Sequence, residues 1–269
     1  MDIVQLKAAA ALLPLSHLEY FDSIDSTNSY TLKLADLDVP EPALVVANTQ
    51  TSGRGRMSRR WITNPGSALA FSLLIRPTQD QQTRLQLFSA LASLAICKVL
   101  VDNYQLNAQI KWPNDILINR QKTAGILSEA VWAGENLQAV VIGIGLNVTR
   151  EALPPQNDLQ FPATCLEDHL SEPVDRVELL VKIVAEILSG REALGTQAYI
   201  QDYNRRLAFL GEQVRIIMGE SIAAGRLIGT DPLGNLILAS GDGEMVIPAG
   251  DLHLRPESLE SKQAISHDI

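Results

Sequence analysis

The sequence predicts an α+β protein: a larger domain of helices and strands over residues 1–210, then a small β-barrel over 211–256. Two observations carry that reading. Up to about Leu210, helical stripes such as Gln82–Val101 and Val174–Ser189 are mixed with a strand meander over Ile116–Val148. From Gly211 the texture changes to closely spaced short strands separated by turn residues, the pattern of a small barrel. Residues 257–269 are polar and are expected to form a disordered tail.

The elements follow in order. Ile3–Leu13 reads as a helix stopped by Pro14, and Leu18–Ile24 as a strand. Asp25, Ser26, Thr27 and Asn28 offer N-cap side chains to a helix over Ser29–Ala35. Ala43–Asn48 and Ser67–Ile75 are apolar strands. In Gln82–Val101, Leu85, Phe88, Leu91, Leu94 or Ala95, and Val99 recur on one face. The meander runs Ala108–Trp112, Ile116–Asn119, Thr123–Trp132 and Leu137–Val148, with turns at Arg120-Gln121 and Gly134–Asn136. Helices are expected at Ala163–Leu170, Val174–Ser189 and Gly195–Leu207. Strands follow at Gln213–Met218, Ile222–Ile228, Asn235–Ala239 and Met245–Pro248. Their turns are Gly219-Glu220, Asp231–Gly234 and Gly241–Gly243.

Composition narrows the function. A net charge of −9 and a pI near 5.0 speak against a general nucleic-acid binder. Cys97 and Cys165 are far apart and sit in apolar or helical patterns, as reduced thiols of a cytoplasmic protein do. Ala8–Leu15 has about half the length of a membrane span. Neither membrane association nor export is expected.

Against that acidic background Thr49–Trp61, TQTSGRGRMSRRW, is a positive island. Four arginines fall within Arg54–Arg60, and no Asp or Glu occurs from Pro42 to Gln79. Gly53 and Gly55 let backbone approach a ligand closely, and arginine presents a fork of donors to carboxylate or phosphate. Two readings fit, an anion cradle and a solvated basic turn. Ser26 and Thr27 likewise read as helix caps or as hydroxyls holding a polar ligand. In Lys111-Trp112-Pro113-Asn114-Asp115 the proline marks a strand end, leaving Lys111, Asn114 and Asp115 to face a cleft or to make a plain turn. Lysine suits phosphate, and Asp115 is the candidate magnesium ligand. Lys122 opens a hairpin strand in which Gly125 marks either close ligand approach or a bulge. Gly143 and Gly145 interrupt an apolar strand, a place where something lies flat against the backbone. The third glycine of a dinucleotide fingerprint is missing.

Taken together, GRGRMSRRW, KWPND, KTAGIL and GIGLN, with Ser26-Thr27-Asn28 upstream, resemble the biotin–protein ligase family over about Ser23–Asn147. The resemblance implies a mixed-sheet catalytic domain similar to class II aminoacyl-tRNA synthetases and lipoate ligases, followed by an SH3-like barrel. It implies that Ser26, Thr27, Asn28 and Gln50 hold biotin, with Gly53, Gly55, Gly125, Gly143 and Gly145 as the glycines of the substrate site. Arg54, Gly55 and Arg56 would contact biotin and the adenylate phosphate, and Lys122 the biotin carboxyl and phosphate. Trp61 would flank adenine, with Asn114 and Asn147 on the adenylate side and Lys111 and Asp115 on the phosphate and magnesium side. The implied partners are biotin, ATP with Mg²⁺, and a biotin carboxyl carrier domain, for a monomer or homodimer. Where the family loop usually reads GRGRxGR, this chain has Ser58, which puts the loop's detailed conformation in question. Some members carry an N-terminal operator-binding winged helix. The residues before Leu18 are too few for one, so no repressor function or DNA partner is expected.

The implied reaction joins biotin carboxylate to the α-phosphate of ATP, then passes the acyl group to a carrier lysine. Bringing two unit anions to ~4 Å costs roughly 4 kcal/mol at a near-surface dielectric, so cations must stand between them. Arg54, Arg56, Lys111 and Lys122 are the candidates. The rival activities are a lipoate–protein ligase, with the same two steps on a different acid, and a nucleic-acid-binding module using the arginine loop.

Overall fold

The computed structural model describes residues 1–82, 84–155, 161–218, 221–241, 243–248 and 252–256. The expected tail 257–269 and the Gly219-Glu220 turn lie outside the described residues.

Seven strands build the main sheet in the order β1-β2-β3-β7-β6-β5-β4. They are β1 His17–Phe21, β2 Ala43–Ala47, β3 Ala68–Ile75, β4 Ala108–Lys111, β5 Asp115–Ile118, β6 Gln121–Ala133 and β7 Asn136–Asn147. β1 and β2 run parallel and every other neighbouring pair is antiparallel, so the sheet is mixed. Every residue of β2 and β3 is buried, which explains why they are apolar throughout except for Ser72.

The two faces of the sheet do different work. Leu69, Phe71, Leu73 and Ile75 of β3 and Ile142, Ile144 and Leu146 of β7 join one large core with α3 (Leu85–Tyr104) and α4 (Arg176–Gly190). On α4 the stripe Val177, Leu180, Ile183, Val184 and Ile187 faces that core, each buried side chain contributing about 2 kcal/mol. The opposite face carries Ala70, Ser72, Gly143, Gly145, Gly125 and Leu127, and is only partly covered, by α2 (Thr27–Asp36) over Ala43, Leu74, Ala139 and Val141. The uncovered part is where a ligand has room.

α3 is long and apolar enough to span a membrane, yet 67% of its most apolar stretch is buried inside the protein. Polar residues such as Ser89 and Lys98 punctuate it, so its apolar runs are short in the sequence.

A second, antiparallel sheet follows, ordered β11-β10-β9-β8-β12. Its strands are β8 Gln213–Met218, β9 Ser221–Thr230, β10 Leu236–Ser240, β11 Gly243–Ile247 and β12 Leu252–Pro256. β12, which was not foreseen, pairs with β8 from Leu252↔Met218 to Pro256↔Val214. The second sheet is tied to the first. Trp112 Nε1 donates to Gly234 O at 3.0 Å, and Asn204, in α5 (Gln197–Arg205), accepts from Thr230 N at 3.0 Å.

One expected helix is corrected. Ala163–Leu170 is not an α-helix; only a 3-10 turn forms, over Leu166–His169. The reason is a backbone ladder: Lys122 N donates to Pro162 O and Thr164 N donates to Lys122 O, so residues 162–164 are held extended against β6.

Candidate active site

A cavity of about 610 Å³ lies on the open face of the main sheet. Its lining includes Ser26, Thr27, Asn28, Gln50, Arg54, Gly55, Arg56, Trp61, Lys111, Asn114, Asp115, Lys122, Gly125, Gly143, Gly145 and Asn147. Residues as far apart in the chain as Ser26 and Ala163 therefore meet in one place.

The glycines make the floor. Ser72, Gly143 and Leu127 are cross-strand neighbours, as are Ala70, Gly145, Gly125 and Asp115 one step along. Same-face residues two apart on a strand are roughly 7 Å apart, so the floor has two stations. At the first, a Cβ on Gly143 would stand 1.9 Å from Asn28 Oδ1. At the second, a Cβ on Gly145 would stand 2.2 Å from the Trp61 ring, and one on Gly125 3.2 Å from it. What lies flat on these glycines is the protein's own Asn28 and Trp61. Gly53 is not among the lining residues. A Cβ there would meet Trp61 O at 2.4 Å, so Gly53 serves the packing of the loop.

The first station is polar. Ser26 caps α2 by accepting from Ser29 N at 3.4 Å, so capping and lining are one arrangement. Thr27 N donates to Gln50 Oε1 at 2.8 Å. Asn28 Nδ2 donates to Leu127 O at 3.1 Å and Glu129 Oε2 at 2.7 Å, while Ser72 Oγ lies 2.5 Å from Asn28 Oδ1.

The second station is charged. Asp115 pairs with Lys122 at 2.6 Å and Lys111 at 3.5 Å, with side-chain exposures of 13%, 29% and 8%. Burial pushes the Asp115 carboxyl up, but the two ammonium charges outweigh burial and hold it below its ordinary value of 3.8. Lys111 also lies 4.4 Å from the Phe161 ring and Lys122 5.8 Å from the Trp61 ring. Asn114 donates to Ile126 O at 2.8 Å and accepts from Arg56 Nη1 at 3.3 Å. Asn147 donates to Thr164 O at 3.2 Å.

The arginine loop closes one side. Trp61 N donates to Gly53 O and Gly55 N to Arg59 O, around a short 3-10 turn at Arg56–Ser58. Ser58 sits at φ 58° beside Met57 at φ 56°, the left-handed region where glycine costs least.

Among the described residues no group of three or more His, Cys, Asp or Glu side chains could hold a metal ion. Each Asp115 oxygen is engaged by a lysine.

Comparison with known proteins agrees with this geometry. The model of the "Biotin/lipoate A/B protein ligase family" matches residues 20–147, and that of the "Biotin protein ligase C terminal domain" matches 209–255. A biotin–[acetyl-CoA-carboxylase] ligase of Paracoccus denitrificans is 33% identical over 85% of this chain and 96% of its own length. The chain belongs to the biotin protein ligase family. A bifunctional ligase/repressor of this family from Bacillus subtilis is 33% identical over 88% of this chain and 74% of its own length. The solved biotin protein ligase of Aquifex aeolicus, in complex with biotin and ATP, superimposes with a TM-score of 0.77 at 26% identity, covering 90% of this chain and 100% of that one.

For a biotin protein ligase, three side chains at this site escaped the sequence reading. Ser72 is a lone hydroxyl inside an apolar strand, Glu129 an acid on an otherwise half-buried strand, and Phe161 the ring beside Lys111. The first two carried a signal, a polar residue out of place in a strand. Phe161 carried none.

Proposed function

We propose that this protein activates biotin with ATP and transfers it to a lysine of a biotin carboxyl carrier domain. The observation that carries the proposal is the single cavity that joins a polar, uncharged station to a lysine-lined one, in a chain so similar to named biotin ligases. In the first step a biotin carboxylate oxygen bonds to the α-phosphorus of ATP and pyrophosphate leaves. In the second, the carrier lysine's amine attacks the acyl carbon, an amide forms and AMP leaves with the bridging oxygen. No side-chain nucleophile takes part; the chain supplies position and charge.

The roles divide by station. Ser26, Thr27, Asn28 and Gln50 match the polar head of biotin, over Gly143. Lys122, Lys111 and Arg56 stand where the carboxylate and α-phosphate meet and screen their repulsion. Trp61, Asn114 and Asn147 take the adenylate side. Arg54, Gly55 and Arg56 bring the loop over the mixed anhydride and keep water from it. Magnesium enters with ATP, held by phosphate oxygens, since Asp115 is engaged by its lysines.

In this reading residues 1–210 carry the chemistry, on a sheet of the kind found in lipoate ligases and class II aminoacyl-tRNA synthetases. Residues 211–256 form an SH3-like unit that buttresses Trp112, and the enzyme works in the cytoplasm. Biotin-dependent exchange of pyrophosphate into ATP tests the proposal. Exchange with biotin and not with lipoate is expected; exchange with lipoate alone would make the protein a lipoate ligase.

A further inference from the structure

Glu129 lies outside the cavity lining, yet it touches two groups that form it. Its Oε2 accepts from Arg54 Nη2 at 2.5 Å and from Asn28 Nδ2 at 2.7 Å. Arg54 is 75 residues away and belongs to the basic loop; Asn28 is 101 residues away and belongs to the first turn of α2. One carboxylate oxygen thus joins the loop to the polar station. β6 aims it there, because Gly125, Leu127 and Glu129 alternate onto the same face, and Glu129 follows the floor residues by one step.

The chemistry of that joint is specific. An ionised carboxylate only accepts, so it holds a guanidinium and an amide NH₂ together without ambiguity. Asn28 has its other contacts on opposite sides, Leu127 O at its nitrogen and Ser72 Oγ at its oxygen. Glu129 and the Leu127 carbonyl together fix which way the Asn28 amide faces above Gly143, and Glu129 alone of the two ties it to the loop. A neutral amide in its place can turn its own NH₂ toward Asn28 or Arg54 and lose that constraint. A mere surface ion pair would not matter much here. The shared oxygen and the second, buried partner set this pair apart.

We propose that Glu129 is a positioning residue that couples the arginine loop to the biotin end of the cavity, holding Asn28 and Arg54 in the geometry that receives biotin. The proposal rests on the ligase reading above, and its effect falls more on biotin than on ATP. Glu129→Gln is the test, with pyrophosphate exchange measured against each substrate. The expected result is a biotin KM raised about tenfold, the size of one charge-assisted hydrogen bond, with the melting temperature unchanged. The ATP KM should rise less than the biotin KM, since Glu129 holds Asn28 directly and meets the adenylate side through Arg54. Glu129→Asp, which keeps the charge, should recover part of the biotin KM. Trypsin should cut the ligand-free loop faster in Glu129→Gln than in the wild type.

An unchanged biotin KM would overturn the proposal. So would equal rises in both KM values with a lowered melting temperature, or a Glu129→Asp variant no better than Glu129→Gln. If the wild type shows no biotin-dependent exchange, the ligase reading fails instead; the trypsin comparison then still decides whether Glu129 holds the loop.

Discussion

The cavity carries two kinds of cation, and they are held in opposite ways. Lys111 and Lys122 stand at strand ends, with side-chain exposures of 8% and 29%, and both grip one carboxylate. Arg54 and Arg56 stand on a loop, Arg54 at 40% exposure, and reach Glu129 of β6 and Asn114 through their side chains. The lysines are charge fixed in advance, which costs nothing to reorganise at the moment of reaction. The arginines are charge carried on a loop, placed by contacts that a change in the loop would alter. An enzyme that must admit two substrates and then guard a water-sensitive anhydride needs both.

The contrast breaks first at Lys122. Lys122→Met should lower biotin-dependent pyrophosphate exchange about a hundredfold or more, as removal of a preorganised donor does. A loss under threefold would mean the fixed lysine is not at the reacting centre. Next is Asp115→Asn, which leaves two poorly solvated ammonium groups without their counter-charge. It should cost about 3 kcal/mol in denaturant unfolding. The pH dependence follows from the depressed carboxyl. Its contribution is fully present above the ordinary value of 3.8 and is lost as pH falls below that value through the lower, folded one. Acid melts of wild type and Asp115→Asn should therefore converge only below that value; convergence at pH 5 would refute the assignment.

The loop cation should behave differently. Arg56→Ala should leave the melting temperature unchanged and release the adenylate into solution about tenfold faster, by loss of its cover. Retention equal to the wild type would show that Arg56 does not guard it. The smallest effect is at Ser58, held at φ 58°. Ser58→Gly should relieve about 1 kcal/mol of left-handed strain and slow proteolysis of the loop, read by trypsin nicking. Faster nicking would mean that chain flexibility outweighs the strain.

Much of the site was legible because its chemistry comes in short runs. Gly-Arg-Gly-Arg, Lys-Trp-Pro-Asn-Asp and Gly-Ile-Gly each hold several lining residues next to one another; the first two sit at a loop or strand end and the third inside β7. Local pattern also found all but one of the strands and most helices. It failed where partners decide. Ala163–Leu170 reads as helical alone, yet its first residues are extended because Lys122 pairs with them. β12 exists because β8 offers an edge. Ser72 and Glu129 reach the site only through register, which places Ser72 opposite Gly143 and Glu129 opposite Val141. Gly143 and Gly145 imply room for something flat, and the room is taken by Asn28 and Trp61. The family resemblance assigns Gly53 to the substrate, whereas in the structure it packs on the Trp61 backbone. Ser58 was noted as a departure from the family loop, and its left-handed backbone explains why glycine suits that position.

The most direct measurement is the intact mass of a biotin carboxyl carrier domain after incubation with the purified protein, biotin and MgATP. The expected result is a gain of one biotinyl group on one lysine, dependent on both small molecules and abolished by Lys122→Met. A carrier whose mass stays unchanged, with no pyrophosphate released, would contradict the assignment of this cavity to biotin activation and transfer.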